Sequence, residues 1–272
     1  MGEMVGGFVV AHTPRIRDPE GAGQVFAPIV QGMRAAAEEI ARLKPDVILI
    51  ASCHWVTTFH PYVNAASRHR GILTSHEVPD LIHGWAYDYP GDPGLAREVA
   101  AAGKAHGVPV VIFDEPTFVL EYGTVIPLRY LTPKADVAVV PLSVCWASDL
   151  RECGAWGEAI RKAVVTSDRR AVFVASGSFS HKLVRGPETG PAPDLQKLDH
   201  QLADLLTTGQ NAAARALLPA FVEQADPEMG ARHIAMLIGA TGPDYRGRLL
   251  GYGPSSGSGN PVIALTHSSP RL

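Results

Sequence analysis

Three histidines follow directly after apolar segments of this 272-residue sequence. His12 comes after GFVVA, His54 after VILIASC, and His181 after VFVASGSFS. Ligands of an open α/β sheet bind outside the carboxyl ends of its strands, so we expect these three imidazoles to lie close together. Neutral imidazole binds metals and also exchanges protons near neutral pH. One histidine at a strand end is more often structural, but the coincidence of three favours a functional site.

Two imidazoles alone hold a divalent metal poorly, and a carboxylate normally completes the set. Six acidic residues near predicted elements could supply that carboxylate: Asp88, Asp114, Glu115, Glu121, Asp226 and Glu228. Glu228 lies in ADPEMGARH, where Pro227 suits the first turn of a helix. An acid at that place also stabilises the helix dipole. These residue types therefore predict a metal site but leave its third ligand open.

Other chemistries fit the sequence less well. Cys53 and His54 are adjacent on a predicted strand, so their side chains point to opposite faces and cannot form a nucleophile–base pair. The segment SGSFS (176–180) lacks the glycine that would follow the serine of a hydrolase GxSxG turn. The segment PSSGSGNP (254–261) precedes a strand instead of opening a helix, which argues against a phosphate site.

Helical and strand periodicities alternate along the chain. Apolar runs predict strands at 7–11, 47–52, 108–113, 137–143, 169–177 and 261–266. Stripes of apolar residues predict helices at 24–44, 93–106, 146–165, 194–207, 212–218 and 230–240. The stretches 57–92, 114–136 and 241–260 are predicted as irregular loops. This order predicts one α/β domain over residues 1–272, with a mainly parallel central sheet flanked by helices and an active site at the C-terminal ends of the strands.

Composition narrows the class of protein. Hydrophobic residues make up 46% and charged residues 19%, as in a globular protein with a sizeable core. The formal charge of −3 gives no reason to expect nucleic acid as a partner. Three cysteines form no CxxC pair, and the sequence shows neither a signal peptide nor an apolar run long enough to cross a membrane. We therefore expect a cytoplasmic protein.

Eight stretches resemble the class III extradiol ring-cleaving dioxygenases, which include the LigB-type catalytic subunits, and most closely their homoprotocatechuate (3,4-dihydroxyphenylacetate) 2,3-dioxygenase branch. They are AHTP (11–14), DVILIASCHW (46–55), GILTSHEVP (71–79), YDYPGDPGLA (87–96), LEYGTVIPLRYL (120–131), VASGSFSHKL (174–183), MLIGATGPDYRG (236–247) and PSSGSG (254–259). The strings LEYGTVIPLRY and SGSFSHKL are the specific ones. The resemblance implies an Fe(II)-dependent oxidoreductase that inserts both atoms of O₂ into a catechol-type ring and yields a ring-opened semialdehyde.

Carried over by position, the resemblance implies that His12, His54 and Glu228 bind the iron. His181 would be the acid–base histidine. Tyr122 stands where other branches have a histidine. Its phenol can hydrogen-bond a substrate oxygen, and the alternative is that Tyr122 only fills the wall of the site.

Two alternatives to these ligands stay open. The neighbours of Glu228 depart from the family pattern, so nearby Asp226 is the alternative acid. His60, six residues after His54, is an alternative second histidine that matches the family less well.

The expected partners are a small aromatic diol and O₂. A carboxylated, homoprotocatechuate-like substrate would need a cation, for which Arg129, Lys182 and Arg185 are the candidates in or near the implicated loops. Aminophenol-type or hydroxypyridine-type rings are alternatives. So are a non-catalytic subunit of a hetero-oligomeric dioxygenase and a zinc-dependent hydrolase. Relatives assemble as dimers or larger, which implies a homodimer or larger homo-oligomer here.

Overall fold

The computed structural model of the chain describes residues 1–267, through which ten strands run. They are β1 (Glu3–Val10), β2 (Val47–Thr57), β3 (Tyr62–Asn64), β4 (Arg68–Leu73), β5 (Trp85–Pro90), β6 (Val111–Phe113), β7 (Ala138–Cys145), β8 (Arg170–Ser176), β9 (Tyr245–Ser255) and β10 (Ser258–His267). Eight of them form one sheet in the order β6-β3-β7-β2-β8-β1-β10-β9, and β4 pairs with β5 outside it. The central neighbours β7, β2, β8 and β1 are parallel, whereas β10 and β9 form an antiparallel edge.

Seven α-helices connect the strands within these residues. They are α1 (Ala27–Leu43), α2 (Pro93–Ala105), α3 (Tyr122–Leu131), α4 (Leu150–Thr166), α5 (Pro193–Thr207), α6 (Asn211–Ala225) and α7 (Arg232–Thr241). Helices α1 and α3 cover one face of the sheet, and the others cover the opposite face. Layers of helices on both faces of a mostly parallel sheet make this a single α/β domain, as the sequence predicts.

Strand β2 shows how one apolar run serves both cores. Ile48 and Ile50 pack toward α1 and α3, while Val47, Leu49 and Ala51 pack toward the other helices. All five are fully buried, because side chains alternate along a strand and this strand is covered on both sides. Burying an aliphatic side chain of this size contributes about 1.5–3 kcal/mol.

Helices α4 and α7 approach closely through glycines. A Cβ on Gly157 would lie 2.0 Å from the Met236 carbonyl oxygen, and one on Gly239 would lie 2.2 Å from the Gly154 carbonyl oxygen. Any larger residue would therefore push the helices apart. This contact holds α7 against α4, and the short 3₁₀ turn Glu228–Ala231 directly precedes α7.

The three stretches predicted as irregular contain regular elements, so that prediction was wrong. β3, β4 and β5 lie within 57–92, α3 lies within 114–136, and β9 lies within 241–260. Helix α3 carries Pro127, a residue that sequence rules place outside helices, and burial against its neighbours stabilises it nevertheless.

Strand β9 was missed because it is rich in glycine. A Cβ on Gly251 would lie 2.2 Å from the Pro28 carbonyl oxygen, so α1 crosses this strand where only glycine fits. Within residues 1–267, no helix combines the length and the apolar character needed to cross a lipid bilayer.

Candidate functional site

His12 lies just beyond the C-terminal end of β1, and its ring orientation is fixed by a serine. His12 Nδ1 lies 2.9 Å from Ser176 Oγ, and the Ser176 hydroxyl donates to the Gly123 carbonyl at 2.5 Å. A hydroxyl has one hydrogen, so Ser176 must accept from His12 Nδ1–H. The neutral His12 ring then carries its free lone pair on Nε2.

His54 lies within an irregular part of β2. The register of β2 against β7 shifts between Ser52 and Val56, so residues 53–55 bulge out of the ladder. Such a bulge re-aims side chains that a regular strand would point into the sheet. His54 Nδ1–H donates to Glu77 Oε1 at 2.9 Å, which again leaves Nε2 with the lone pair in the neutral ring.

Glu228 is presented by a left-handed turn. The φ angles of Met229, Gly230 and Ala231 are 48°, 59° and 56°, and that of Asp226 is 47°. Left-handed backbone costs a non-glycine residue roughly 1–2 kcal/mol, so this strain must be offset by the surrounding packing. Strain of this kind concentrates at functional sites.

The two histidines and the glutamate converge. Glu228 Oε1 lies 3.1 Å from His12 Nε2 and 3.2 Å from His54 Nε2. One ligand atom from each of the three lies within 4.8 Å of the others. Two imidazole nitrogens and a carboxylate oxygen around one point are a donor set for a divalent transition metal. Each histidine also has its other nitrogen held by an oxygen, as metal-binding histidines do.

Electrostatics agree with a cation site. Burial alone would raise the pKa of Glu228, but His12 and His54 hold it well below its usual range. Burial would lower the pKa of His54, but the carboxylates of Glu228 and Glu77 raise it to about 10. The carboxylates thus hold a proton on the metal-free His54, at a position where a metal ion would replace it.

His181 lies beside this group on the turn after β8. Ser178 Oγ lies 2.7 Å from His181 Nδ1 and donates to Glu228 Oε2 at 3.0 Å. His181 Nδ1 is therefore the donor, and its Nε2 is free to accept a proton. Burial lowers the pKa of His181, which keeps the ring neutral. The turn itself is anchored by the fully buried Asp199, which accepts from Ser180 N and Oγ at 2.9 and 2.7 Å.

Tyr122, the first residue of α3, lies over the His54 ring, with 4.0 Å between ring centroids. Its phenol donates to Glu77 Oε2 at 3.0 Å. Burial and the carboxylates of Glu77 and Glu228 raise its pKa, so the phenol stays protonated.

A cavity of about 310 Å³ opens onto these side chains, a volume suited to a single-ring ligand. Its uncharged polar lining includes Thr13, Ser255, Ser256, Ser258 and Asn260. A larger cavity of about 460 Å³ lies between α1 and α3 and includes Lys44, at the N-terminal end of the strands. It contains none of the candidate residues, so chemistry and not volume selects the smaller cavity.

The structure separates the remaining candidates from this group. Asp226 and His60 are exposed and lie outside the three-residue cluster. Arg129, Lys182 and Arg185 are exposed, and none of them lines the cavity. The Arg129 guanidinium instead stacks 4.5 Å from the centroid of the Trp85 ring. Substrate binding by these three cations stays a prediction.

Three supporting residues were not predicted from the sequence: Glu77, Ser176 and Ser178. Glu77 lies inside the quoted segment GILTSHEVP, and both serines lie in VASGSFSHKL. The resemblance of these segments to the family was the only signal in the sequence, and the fold shows which of their side chains contact the histidines. Cys53, which the sequence argument rejects as a nucleophile, lies 3.2 Å from His233 Nδ1, and burial raises its pKa.

Sequence comparison finds a family match over most of the chain. The family model described as "Catalytic LigB subunit of aromatic ring-opening dioxygenase" matches residues 6–259.

Individual relatives align over nearly their full length. The chain is 27% identical over 266 residues to a 3,4-dihydroxyphenylacetate 2,3-dioxygenase of Escherichia coli, covering 94% of this chain and 96% of that one. It is 28% identical over 292 residues to the 2-aminophenol 1,6-dioxygenase beta subunit of a Pseudomonas species, covering 96% and 93%. A crystal structure of an uncharacterized Escherichia coli K12 protein shares the fold, with a TM-score of 0.70 at 17% identity over 96% of this chain and 99% of that one.

Proposed function

The chain belongs to the LigB family of extradiol ring-cleaving dioxygenases, and from this premise we propose that it is an Fe(II)-dependent enzyme that opens a catechol-type ring. His12, His54 and Glu228 hold the iron, and O₂ is the second substrate. Both oxygen atoms enter the product, a ring-opened semialdehyde, so no external reductant is needed.

One observation carries this proposal: two imidazole Nε2 atoms converge on a single carboxylate oxygen, at 3.1 and 3.2 Å. A structural histidine has no need of this arrangement, whereas two neutral nitrogens and one carboxylate are the donor set of non-haem iron(II) oxygenases. A non-catalytic subunit would not need to keep the complete set together with His181.

Iron(II), when bound, supplies a redox-active centre that can hold the diol and O₂ side by side and relay electron density between them. The protein supplies the proton transfers. His181 Nε2 accepts a proton from a substrate hydroxyl and returns it later in the reaction, since its Nδ1 is already committed to Ser178. Tyr122, which also lines the cavity, contacts a substrate oxygen.

Reconstitution with two metals tests the proposal. Metal-free protein is loaded anaerobically with Fe(II) or with Zn(II), and each form is mixed with catechols in air. We expect a yellow, pH-sensitive ring-opened product from the iron form and none from the zinc form. Hydrolysis of test esters or amides by the zinc form, with no product from the iron form, would favour the zinc hydrolase instead.

The substrate class has two candidates. A homoprotocatechuate-like ring is the first, by similarity to the Escherichia coli relative. A ring with an uncharged substituent, such as an aminophenol, is the second, and the cavity favours it. Its wall presents the Glu77 carboxylate and neutral hydroxyl and amide groups, while no lysine or arginine of residues 1–267 lines it.

A series of substrates that differ in charge separates these candidates: 3,4-dihydroxyphenylacetate, its neutral methyl ester, and 2-aminophenol. A kcat/KM higher for the acid than for its ester would identify the carboxylated substrate and require a cation at the cavity. The reverse order would identify the uncharged class. A hydroxypyridine belongs in the same panel.

The assembly that we propose is a homodimer or larger homo-oligomer in the cytoplasm. The three cysteines are free and buried, which suits a reducing compartment. The Pseudomonas relative carries the printed name of a beta subunit, so a second chain is the alternative. Light scattering of the purified protein, together with activity in the absence of any other chain, distinguishes the two assemblies.

A further inference from the structure

The loop between β4 and β5, residues 74–84, is ordered by its own contacts. Ser75 N donates to the Ile82 carbonyl at 3.0 Å, and Ile82 is fully buried. Ser75 Oγ accepts from the backbone N–H groups of Glu77 and Val78, at 3.2 Å each. A hydroxyl that satisfies the following N–H groups fixes a local turn. The loop therefore presents Glu77 in a defined position over the site.

The Glu77 carboxylate joins two functional side chains. Its Oε1 lies 2.9 Å from His54 Nδ1, and its Oε2 lies 3.0 Å from the Tyr122 hydroxyl oxygen. An ionised carboxylate only accepts hydrogen bonds, so both partners must donate. The single hydrogen of the Tyr122 phenol is thus committed to Glu77, and only oxygen lone pairs remain to face the cavity.

We propose that Glu77 is a positioning residue with two effects, which rest on the proposed function. It fixes the His54 tautomer whose Nε2 can bind the metal. It also makes Tyr122 a hydrogen-bond acceptor, so that Tyr122 selects a ring substituent that carries an O–H or N–H donor beside the reacting carbons.

The position of Glu77 fits a role in orientation better than a role in stability. Its side chain is 60% exposed, whereas the His54 ring is 16% exposed. An exposed ion pair adds little to folding, so removal of Glu77 should leave the protein folded. Carboxylate partners of metal-binding histidines typically change metal affinity by 10–100-fold when they are removed.

The first test measures metal binding without turnover. Zn(II) affinity is determined by competition with a chromophoric chelator for wild type, Glu77→Ala, Glu77→Gln and Asp80→Asn. Asp80 is an exposed acid of the same loop that lies outside the cavity lining, so its variant removes the same charge. We expect Glu77→Ala to weaken binding by about 10–100-fold. Glu77→Gln should weaken it less, because an amide oxygen can still accept from His54.

The second test measures substrate binding through Tyr122. In Glu77→Gln, the amide oxygen pairs with His54, so the amide N–H₂ faces Tyr122 and the phenol hydrogen is released toward the cavity. Anaerobic binding of 4-nitrocatechol to Zn(II)-saturated protein is followed in a double-mutant cycle of Glu77→Gln and Tyr122→Phe. We expect Glu77→Gln to weaken catechol binding by about tenfold when Tyr122 is present and to have little effect in the Tyr122→Phe background. Such non-additive effects are what a double-mutant cycle shows for two coupled residues.

Two outcomes would overturn the inference. One is equal Zn(II) affinity for Glu77→Ala and Asp80→Asn, with circular dichroism showing both folded. The other is additive effects of Glu77→Gln and Tyr122→Phe on catechol binding. Failure of the proposed function looks different: wild type would bind metal and catechol and consume no O₂, while both effects of Glu77 remained.

Discussion

The Ser178 hydroxyl lies 2.7 Å from His181 Nδ1 and donates its hydrogen to Glu228, so it accepts from the His181 ring. This assigns the proton of the neutral ring to Nδ1 and leaves Nε2 facing the cavity as a base. One serine thereby links the proposed acid–base histidine to the carboxylate of the proposed metal site. The tautomer follows from counting hydroxyl hydrogens.

Replacing His181 should separate catalysis from metal binding. His181→Ala removes the proton acceptor and none of the three ligands, so we expect full Fe(II) content and a kcat lowered by about 10²–10⁴-fold. Iron analysis and steady-state kinetics measure the two effects. Normal turnover by His181→Ala would contradict its role as the acid–base residue.

Replacing Ser178 should give a smaller loss of turnover. Ser178→Ala leaves the His181 ring in place but frees its tautomer, and we expect kcat to fall by about tenfold with an altered pH–rate profile. The backbone N–H of Ser178 still donates to Glu228 at 2.8 Å, so iron content should hold. A variant that loses its iron would instead place the main effect of Ser178 at Glu228.

Replacing either histidine ligand should remove the metal itself. His12→Ala or His54→Ala leaves one imidazole and one carboxylate, too few donors to hold Fe(II) firmly. We expect less than stoichiometric iron after gel filtration of each variant. His60→Ala is the matched control, since His60 is exposed and outside the cluster. Loss of iron in His60→Ala with retention in His54→Ala would reverse the assignment.

Metal affinity should rise with pH. The raised pKa of His54, about 10, means that metal-free protein carries this proton at neutral pH, and metal binding must release it. Loss of about one proton per metal strengthens binding about tenfold per pH unit between about pH 6 and 8, and the rise ends above the His54 pKa. Calorimetry in buffers of different ionisation enthalpy counts the protons. A pH-independent affinity would contradict the ion pair.

The stability of the fold should depend on the close contact between α4 and α7. Gly157→Ala inserts a methyl group against the Met236 carbonyl, and we expect unfolding to become easier by about 1–3 kcal/mol. Gly94→Ala in α2 is the control, because its Cβ would meet only Asp92 Oδ1, at 3.4 Å. Thermal unfolding of the two variants measures the difference. A Gly157→Ala variant with the unfolding temperature of wild type would show that the two helices can move apart without loss of stability.

Continuous apolar runs made the centre of the fold predictable from the sequence. β2 and β8 are buried on both sides and read as strands, and the helices between them have apolar stripes. β9 and α3 were not predicted because packing against neighbouring elements stabilises them, although their own residues have a low propensity for strand or helix. Glycines in β9 admit α1, and packing stabilises α3 despite Pro127.

The site was predictable where strand ends deliver residues and not where loops do. His12, His54 and His181 were expected together because each follows a predicted strand. In the sheet, β8 lies between β2 and β1, so the three strand ends do meet. Glu77 lies 23 residues beyond His54, in a loop whose path no periodicity reveals. The choice of Asp226 or Glu228 as the acidic ligand likewise depends on left-handed backbone conformations, which the sequence does not predict.

Oxygen consumption is the most direct test of the proposed ring-cleaving activity. Anaerobically prepared, Fe(II)-loaded protein is mixed with a limiting amount of catechol substrate in an oxygen electrode, with the variant His54→Ala treated in parallel. We expect wild type to consume one O₂ per ring opened without forming hydrogen peroxide, and the variant to consume none. Wild-type protein with iron bound that consumes no O₂ with any catechol, aminophenol or hydroxypyridine tested would contradict the proposed activity.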